Sequence, residues 1–123
     1  KMVSLLRFSF ETDVVKALST KIRHFYDLYY LANDKECAEY LQSSEFKKDL
    51  SELLIHDQQE FDIPEGWQTK TIKESPLFKE FSTLWTILSV VYQNELTPLA
   101  FSDIPDKKLI AESFMKILKQ LQK

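Results

Sequence analysis

The chain has 123 residues, 44% of them apolar and 13% aromatic, with one glycine, four prolines and a formal net charge of −3 at pH 7. That is the size of one ordinary domain, able to bury a real core, and the scarcity of glycine disfavours a sheet-rich fold whose hairpin turns need positive φ angles. A lone Cys37 excludes an intrachain disulfide and leaves too few thiols for a structural zinc site, so with His24 and His56 as the only histidines any metal site would depend on carboxylates.

Taken in chain order, residues 1–10 place Met2, Leu5, Leu6 and Phe10 at helical spacing. The opening Lys1 already lies inside an apolar period, so upstream sequence is expected to be missing. Glu11, Thr12 and Asp13 break the pattern, and a second helix is predicted over 14–32 with Ala17, Leu18, Ile22, Phe25, Leu28, Tyr29 and Leu31 as its apolar stripe. Asn33 with Glu36 resembles a capping box for a short helix through Gln42. Residues 45–61 carry Phe46, Leu50, Leu53, Leu54 and Phe61 at helical spacing, with charges on the outer face. Residues 62–74, which include Pro64, Gly66 and Trp67, form the longest predicted loop. Ser75-Pro76 supplies an N-cap and a proline at the first helical position, opening a helix through Leu96 with Phe78, Phe81, Leu84, Trp85, Leu88, Val91 and Tyr92 on its buried face. Pro98 stops it, and Pro105-Asp106 starts a last helix striped with Leu109, Ile110, Phe114, Ile117, Leu118 and Leu121. The expected fold is therefore all-α, an irregular bundle of five to six helices in a single domain over 1–123. The apolar stretches are shorter than the roughly 20 residues that span a bilayer, and no signal peptide opens the chain. A soluble, cytoplasmic protein without membrane contact is expected.

The residues richest in chemistry are Arg23-His24-Phe25-Tyr26-Asp27-Leu28-Tyr29. On a helix, Arg23 and Asp27 share a face, as do the pairs Phe25 with Tyr29 and Tyr26 with Tyr30. An Arg placed before its acid is the weaker helical orientation, so local helix stability alone explains the pair poorly. One reading has Asp27 in a polar cleft as a base or orienting group, with Arg23 setting its charge or touching a phosphate; the other has the two as a structural pair beside core aromatics. Residues 1–30 hold five Lys or Arg against three acids, while the remainder holds eleven against sixteen. This mildly basic quarter is compatible with phosphate contact, with solvated surface the favoured reading. No phosphate loop, nucleophile elbow, zinc-protease motif or calcium loop is present. His56 beside Asp57 reads as an exposed polar pair, and Trp67 as a plug at one end of the bundle.

The run from Arg23 to Leu28, preceded by Lys1-Met2-Val3-Ser4-Leu5, resembles the C-terminal part of the AbiEii nucleotidyltransferase toxins of type IV toxin-antitoxin and abortive-infection systems. That family carries a motif Lys-apolar-x-Ala-apolar and, downstream, Arg-Asp-x-x-Asp-apolar. Lys1, Arg23 and Asp27 match, whereas Ser4 replaces the alanine and His24 the first aspartate, so no role of that first acid carries over. The segments Phe61-Asp62-Ile63-Pro64-Glu65-Gly66-Trp67, Ser75-Pro76-Leu77 and Ile104-Pro105-Asp106 extend the resemblance along the chain.

The resemblance implies the helical C-terminal part of a larger bacterial enzyme that transfers a nucleotide from an NTP to RNA, with the 3′ end of tRNA as acceptor and Mg²⁺ held by an upstream catalytic domain absent from this chain. It implies Lys1 and Arg23 as phosphate-binding residues, Asp27 as the catalytic residue in the cleft, and a cognate antitoxin as partner; no metal or nucleotide would be bound by these residues alone, and this piece alone would be inactive. The alternative is a non-catalytic helical protein-interaction module. The two differ in whether Lys1, Arg23 and Asp27 line one open concave face or Asp27 is buried and paired, and the order of the two motifs favours the first.

Overall fold

The structure is a computed structural model that describes residues 2–99 and 104–122. Its helices are α1 (Met2–Phe8), α2 (Val14–Ser19), α3 (Ile22–Asn33), α4 (Lys35–Leu41), α5 (Ser44–Glu60), α6 (Pro76–Lys79), α7 (Phe81–Leu96) and α8 (Lys107–Gln122), with short 3-10 turns at Trp67–Thr69, Ile72–Glu74 and Thr97–Leu99. No strand occurs among the described residues, and the all-α class follows the glycine-poor composition.

There are more helices than expected because two predicted helices are each divided. The first division falls at Ser19 and Thr20, whose hydroxyls donate to the carbonyls of Val15 and Ala17, both at 2.7 Å. Hydroxyls bonded to carbonyls compete with the next turn of N–H donors, and the Lys21 N–H reaches only to Leu18. The break frees α2 to lie on α7 while α3 packs along α8. The second division falls at Glu80 (φ −146°, ψ 38°), between the buried Leu77 and Phe81; no local feature of the sequence accounts for it. The capping expectation also shifts by one residue. Asn33 closes α3 by donating its side-chain amide to the Tyr29 carbonyl at 2.8 Å, and Asp34 caps α4 by accepting from the Cys37 N–H at 3.2 Å. A carboxylate gains more than an amide from the positive end of the helix dipole.

The core forms around α3. Phe25 is 1% exposed and its ring meets Phe114 at 5.0 Å, Trp85 at 5.3 Å and Phe81 at 6.4 Å. Phe81 and Phe114 close the group at 4.8 Å, so one aromatic cluster joins α3, α7 and α8. Tilted and edge-on ring pairs of this kind add about 0.5–1.5 kcal/mol each beyond their buried area. Two polar tips then clamp the start of α8: the Trp85 indole donates to the Lys107 carbonyl at 3.0 Å, and the Tyr92 hydroxyl to Pro105 at 2.6 Å. Around this centre, Leu5, Leu6, Leu18, Leu77, Leu88, Ile110 and Leu121 are fully buried.

A second tie links chain segments 66 residues apart. The fully buried Ser9 hydroxyl donates to the Leu6 carbonyl and lies 2.6 Å from the Ser75 hydroxyl. Because Ser9 has one hydroxyl hydrogen and spends it on Leu6, Ser75 donates to Ser9 while accepting from the Leu77 N–H at 3.1 Å. Ser75 is thus the predicted N-cap of α6 and also the anchor of α1.

The 62–74 segment is not free loop. Its Trp67 is 1% exposed, donates to the Phe61 carbonyl at 2.8 Å and faces Phe10 at 6.5 Å. The Gln58 amide bonds the carbonyls of both Trp67 and Lys70, at 2.9 and 2.8 Å. Gly66 turns the chain at φ +82°, where a side chain would be strained, and Glu74 caps Thr71 so that the Thr71 N–H holds its carboxyl below the usual range. Trp67 is the plug its sequence position suggested.

Two variants follow. Phe25→Ala should cost about 3–5 kcal/mol in denaturant unfolding, because neighbours from three helices cannot all collapse into the space. Ser75→Ala should cost about 1–3 kcal/mol, since it removes a cap and leaves the Ser9 oxygen without its donor; a loss no greater than that of an exposed serine such as Ser82 would contradict the assignment.

Candidate functional site

Because Ile22, Phe25 and Leu28 are drawn into the core, α3 turns the row Arg23, Asp27, Tyr30 away from it. Arg23 is exposed and Asp27 and His24 are half-buried, both of the latter with interactions of their own. Tyr26 and Tyr30 form the expected pair, edge-on at 4.9 Å, and Tyr29 meets Tyr30 at 5.3 Å. Contact with the Tyr26 hydroxyl holds the Tyr30 phenol above its ordinary value. Phe25 does not pair with Tyr29 as its spacing suggested; its described ring partners lie in the core.

Arg23 lines a shallow hollow of about 570 Å³ with Lys16, Ser19, Thr20, Ile22, Glu95 and Leu96, between α2, the start of α3 and the end of α7. Asp27 is not part of that lining. The two residues therefore share a helix face but not this hollow. Lys1, the third residue of the sequence-based site, lies outside the described residues. Among the described residues no group of three or more His, Cys, Asp or Glu side chains converges to hold a metal ion; in the resemblance the Mg²⁺ ligands belong to the upstream domain. His56 is exposed, 3.7 Å from Asp57 and 4.0 Å from Glu60, as a solvated pair would be.

A better-formed concavity lies elsewhere. Helices α1, α3, α4 and α5 line an open-mouthed apolar cavity of about 350 Å³, with Met2, Leu28, Leu41, Phe46 and Leu50 as its floor and walls. At its mouth the Tyr40 hydroxyl of α4 donates to Asp49 Oδ2 of α5 at 2.6 Å. The Tyr40 ring stands edge-on to Phe46 at 5.5 Å, and Cys37 also lines the space. Leu31, Tyr40 and Leu53 leave apolar surface exposed around the mouth. The volume falls in the range of small-molecule pockets, mostly apolar with few polar groups. Sequence periodicity missed it because Leu31 and Leu53 sit in apolar stripes and read as core. Leu54 is buried whereas Leu53 is 54% exposed, a difference that periodicity alone did not show.

The electrostatics at the mouth are negative. The hydrogen bond to Asp49, with Glu45 nearby, pushes the Tyr40 phenol up to about 12, and the Asp34 and Glu36 carboxylates push the Cys37 thiol up. Burial does the same to Tyr92 in the core.

Comparison with known protein families, with characterised proteins and with solved structures finds no match to this chain. No described helix is long and apolar enough to cross a membrane.

The Tyr40 contact makes a pH prediction. A phenol whose folded value lies above its unfolded value of 10.0 contributes stability that is complete below pH 10 and is lost as pH rises through about 12. In a near-ultraviolet titration, Tyr40→Phe should remove a component ionising near 12, and Asp49→Asn should bring that component down toward 10. A Tyr40 component already at 10 in the unmutated protein would show that the contact does not hold in solution.

Proposed function

We propose that this chain is the helical C-terminal part of a nucleotidyltransferase toxin of the AbiEii kind, which joins an upstream catalytic domain to transfer a nucleotide from an NTP to the 3′ end of tRNA. The observation that carries the reading is the placement of Arg23 and Asp27 one turn apart on the outward side of α3, with Arg23 exposed and lining a hollow beside Lys16. Cations of this kind suit phosphate groups, the guanidinium by bidentate hydrogen bonds and the ammonium as a point charge. The all-α fold is the one the resemblance implies. Motif order and these two side chains support the reading.

In this reading Arg23 and Lys1 hold phosphates, and Asp27 stands in the cleft as the group that orients or deprotonates the acceptor hydroxyl. Mg²⁺, bound by the upstream domain, would neutralise phosphate charge during transfer. A cognate antitoxin would complete the system.

A non-catalytic interaction module is favoured by a different observation: Asp27 is half-buried with an interaction of its own and does not line the hollow beside Arg23. The two readings separate in a labelled-nucleotide transfer assay on total tRNA, using the protein extended upstream and its Asp27→Asn form. The first expects labelling that falls by at least about a hundredfold in the variant. Equal labelling by both forms would remove Asp27 from the chemistry, and no labelling by either would move the interaction module ahead.

A further inference from the structure

The lining of the cavity at Tyr40 and Asp49 includes neither Arg23 nor Asp27, and its construction specifies a ligand of its own. Three properties of the site narrow the occupant. The interior is formed by Met2, Leu28, Leu41, Phe46 and Leu50, so the body of the ligand is apolar. Its volume of about 350 Å³ matches a small molecule. The polar groups stand together at the mouth, so the ligand carries its polar group at one end.

The charge of that group follows from what faces it. Tyr40 donates its only hydroxyl hydrogen to Asp49 Oδ2, which leaves the half-buried carboxylate able to accept a further hydrogen bond at Oδ1. The Tyr40 ring lines the cavity beside this carboxylate. Among the described residues that line the cavity, Asp49 is the one charged side chain. A neutral alcohol could bond Asp49 but would gain no charge assistance, and a carboxylate would be repelled. We propose that this cavity binds a small apolar cation, an alkyl or aryl ammonium whose chain fills the space between α1, α3, α4 and α5 and whose nitrogen donates to Asp49 beside the Tyr40 ring.

The test uses the full chain and three probes of equal chain length: n-octylammonium, n-octanol and octanoate. Affinity is read from saturable shifts of leucine methyl resonances, and location from the rate at which the lone Cys37, which lines the cavity, is alkylated. Octylammonium should saturate both readouts, with octanol at least roughly tenfold weaker and octanoate weaker still, as expected for losing a charge-assisted hydrogen bond. Asp49→Asn retains an oxygen to accept from Tyr40 and should reduce octylammonium to the affinity of octanol. Equal binding of amine and alcohol to the unmutated protein, shifts without protection of Cys37, or absence of saturation by octylammonium would each overturn the assignment. The assay needs no upstream domain and no RNA, so its result is independent of the nucleotidyltransferase reading.

Discussion

Everything in this fold is arranged around the burial of Phe25. Its ring meets Phe81 and Trp85 of α7 and Phe114 of α8, and α3 is flanked in turn by α1 and α4. Once Phe25 is committed inward with Ile22 and Leu28, the 3.6-residue period leaves no choice about which residues point out. The outward placement of Arg23 and Asp27 is thus a by-product of core packing. The same rotation sets Leu28 and Leu31 against the space under α4, so the amphipathic geometry of one helix supplies a wall of the apolar cavity and the charged row beside it.

Much of this was legible in the residues. The scarcity of glycine foretold helices, Ser75-Pro76 and Pro105-Asp106 marked true helix starts, and Phe81, Trp85, Leu88, Ile110 and Phe114 lie in the core as their spacing required. Other features were hidden for physical reasons. The break at Ser19 and Thr20 depends on two hydroxyls choosing backbone carbonyls over water, a competition decided by context and not by composition. Residues that read as stripe, among them Leu31, Leu53 and Leu109, lie at the margin of their helical faces and remain exposed, and Phe61 falls just beyond the end of α5. Periodicity fixes the direction of a face but not its width.

The chemistry-bearing residues illustrate a further limit. Arg23 and Asp27 were visible because unusual side chains fell together on one stretch of sequence. Tyr40 and Asp49 were not, although they make one of the shorter side-chain hydrogen bonds of the structure, because they belong to different helices and become neighbours only after α4 and α5 fold back on each other. A pairing across a helical corner leaves no periodic trace, and neither tyrosine nor aspartate is unusual on a surface.

The placement of the two tryptophans has a consequence of another sort. Trp85 sits in the central aromatic cluster, whereas Trp67 is buried outside it, held by Gln58 and the Phe61 carbonyl. A small satellite core of this type can open at a lower free energy than the main one. The chain therefore carries two optical reporters, one for each level of its cooperativity: emission from the indole near the loop follows local opening, and emission from the indole near α8 follows global unfolding. Whether the two signals melt together is a property of how tightly the loop is coupled to the rest, and the molecule comes equipped to display it without any label.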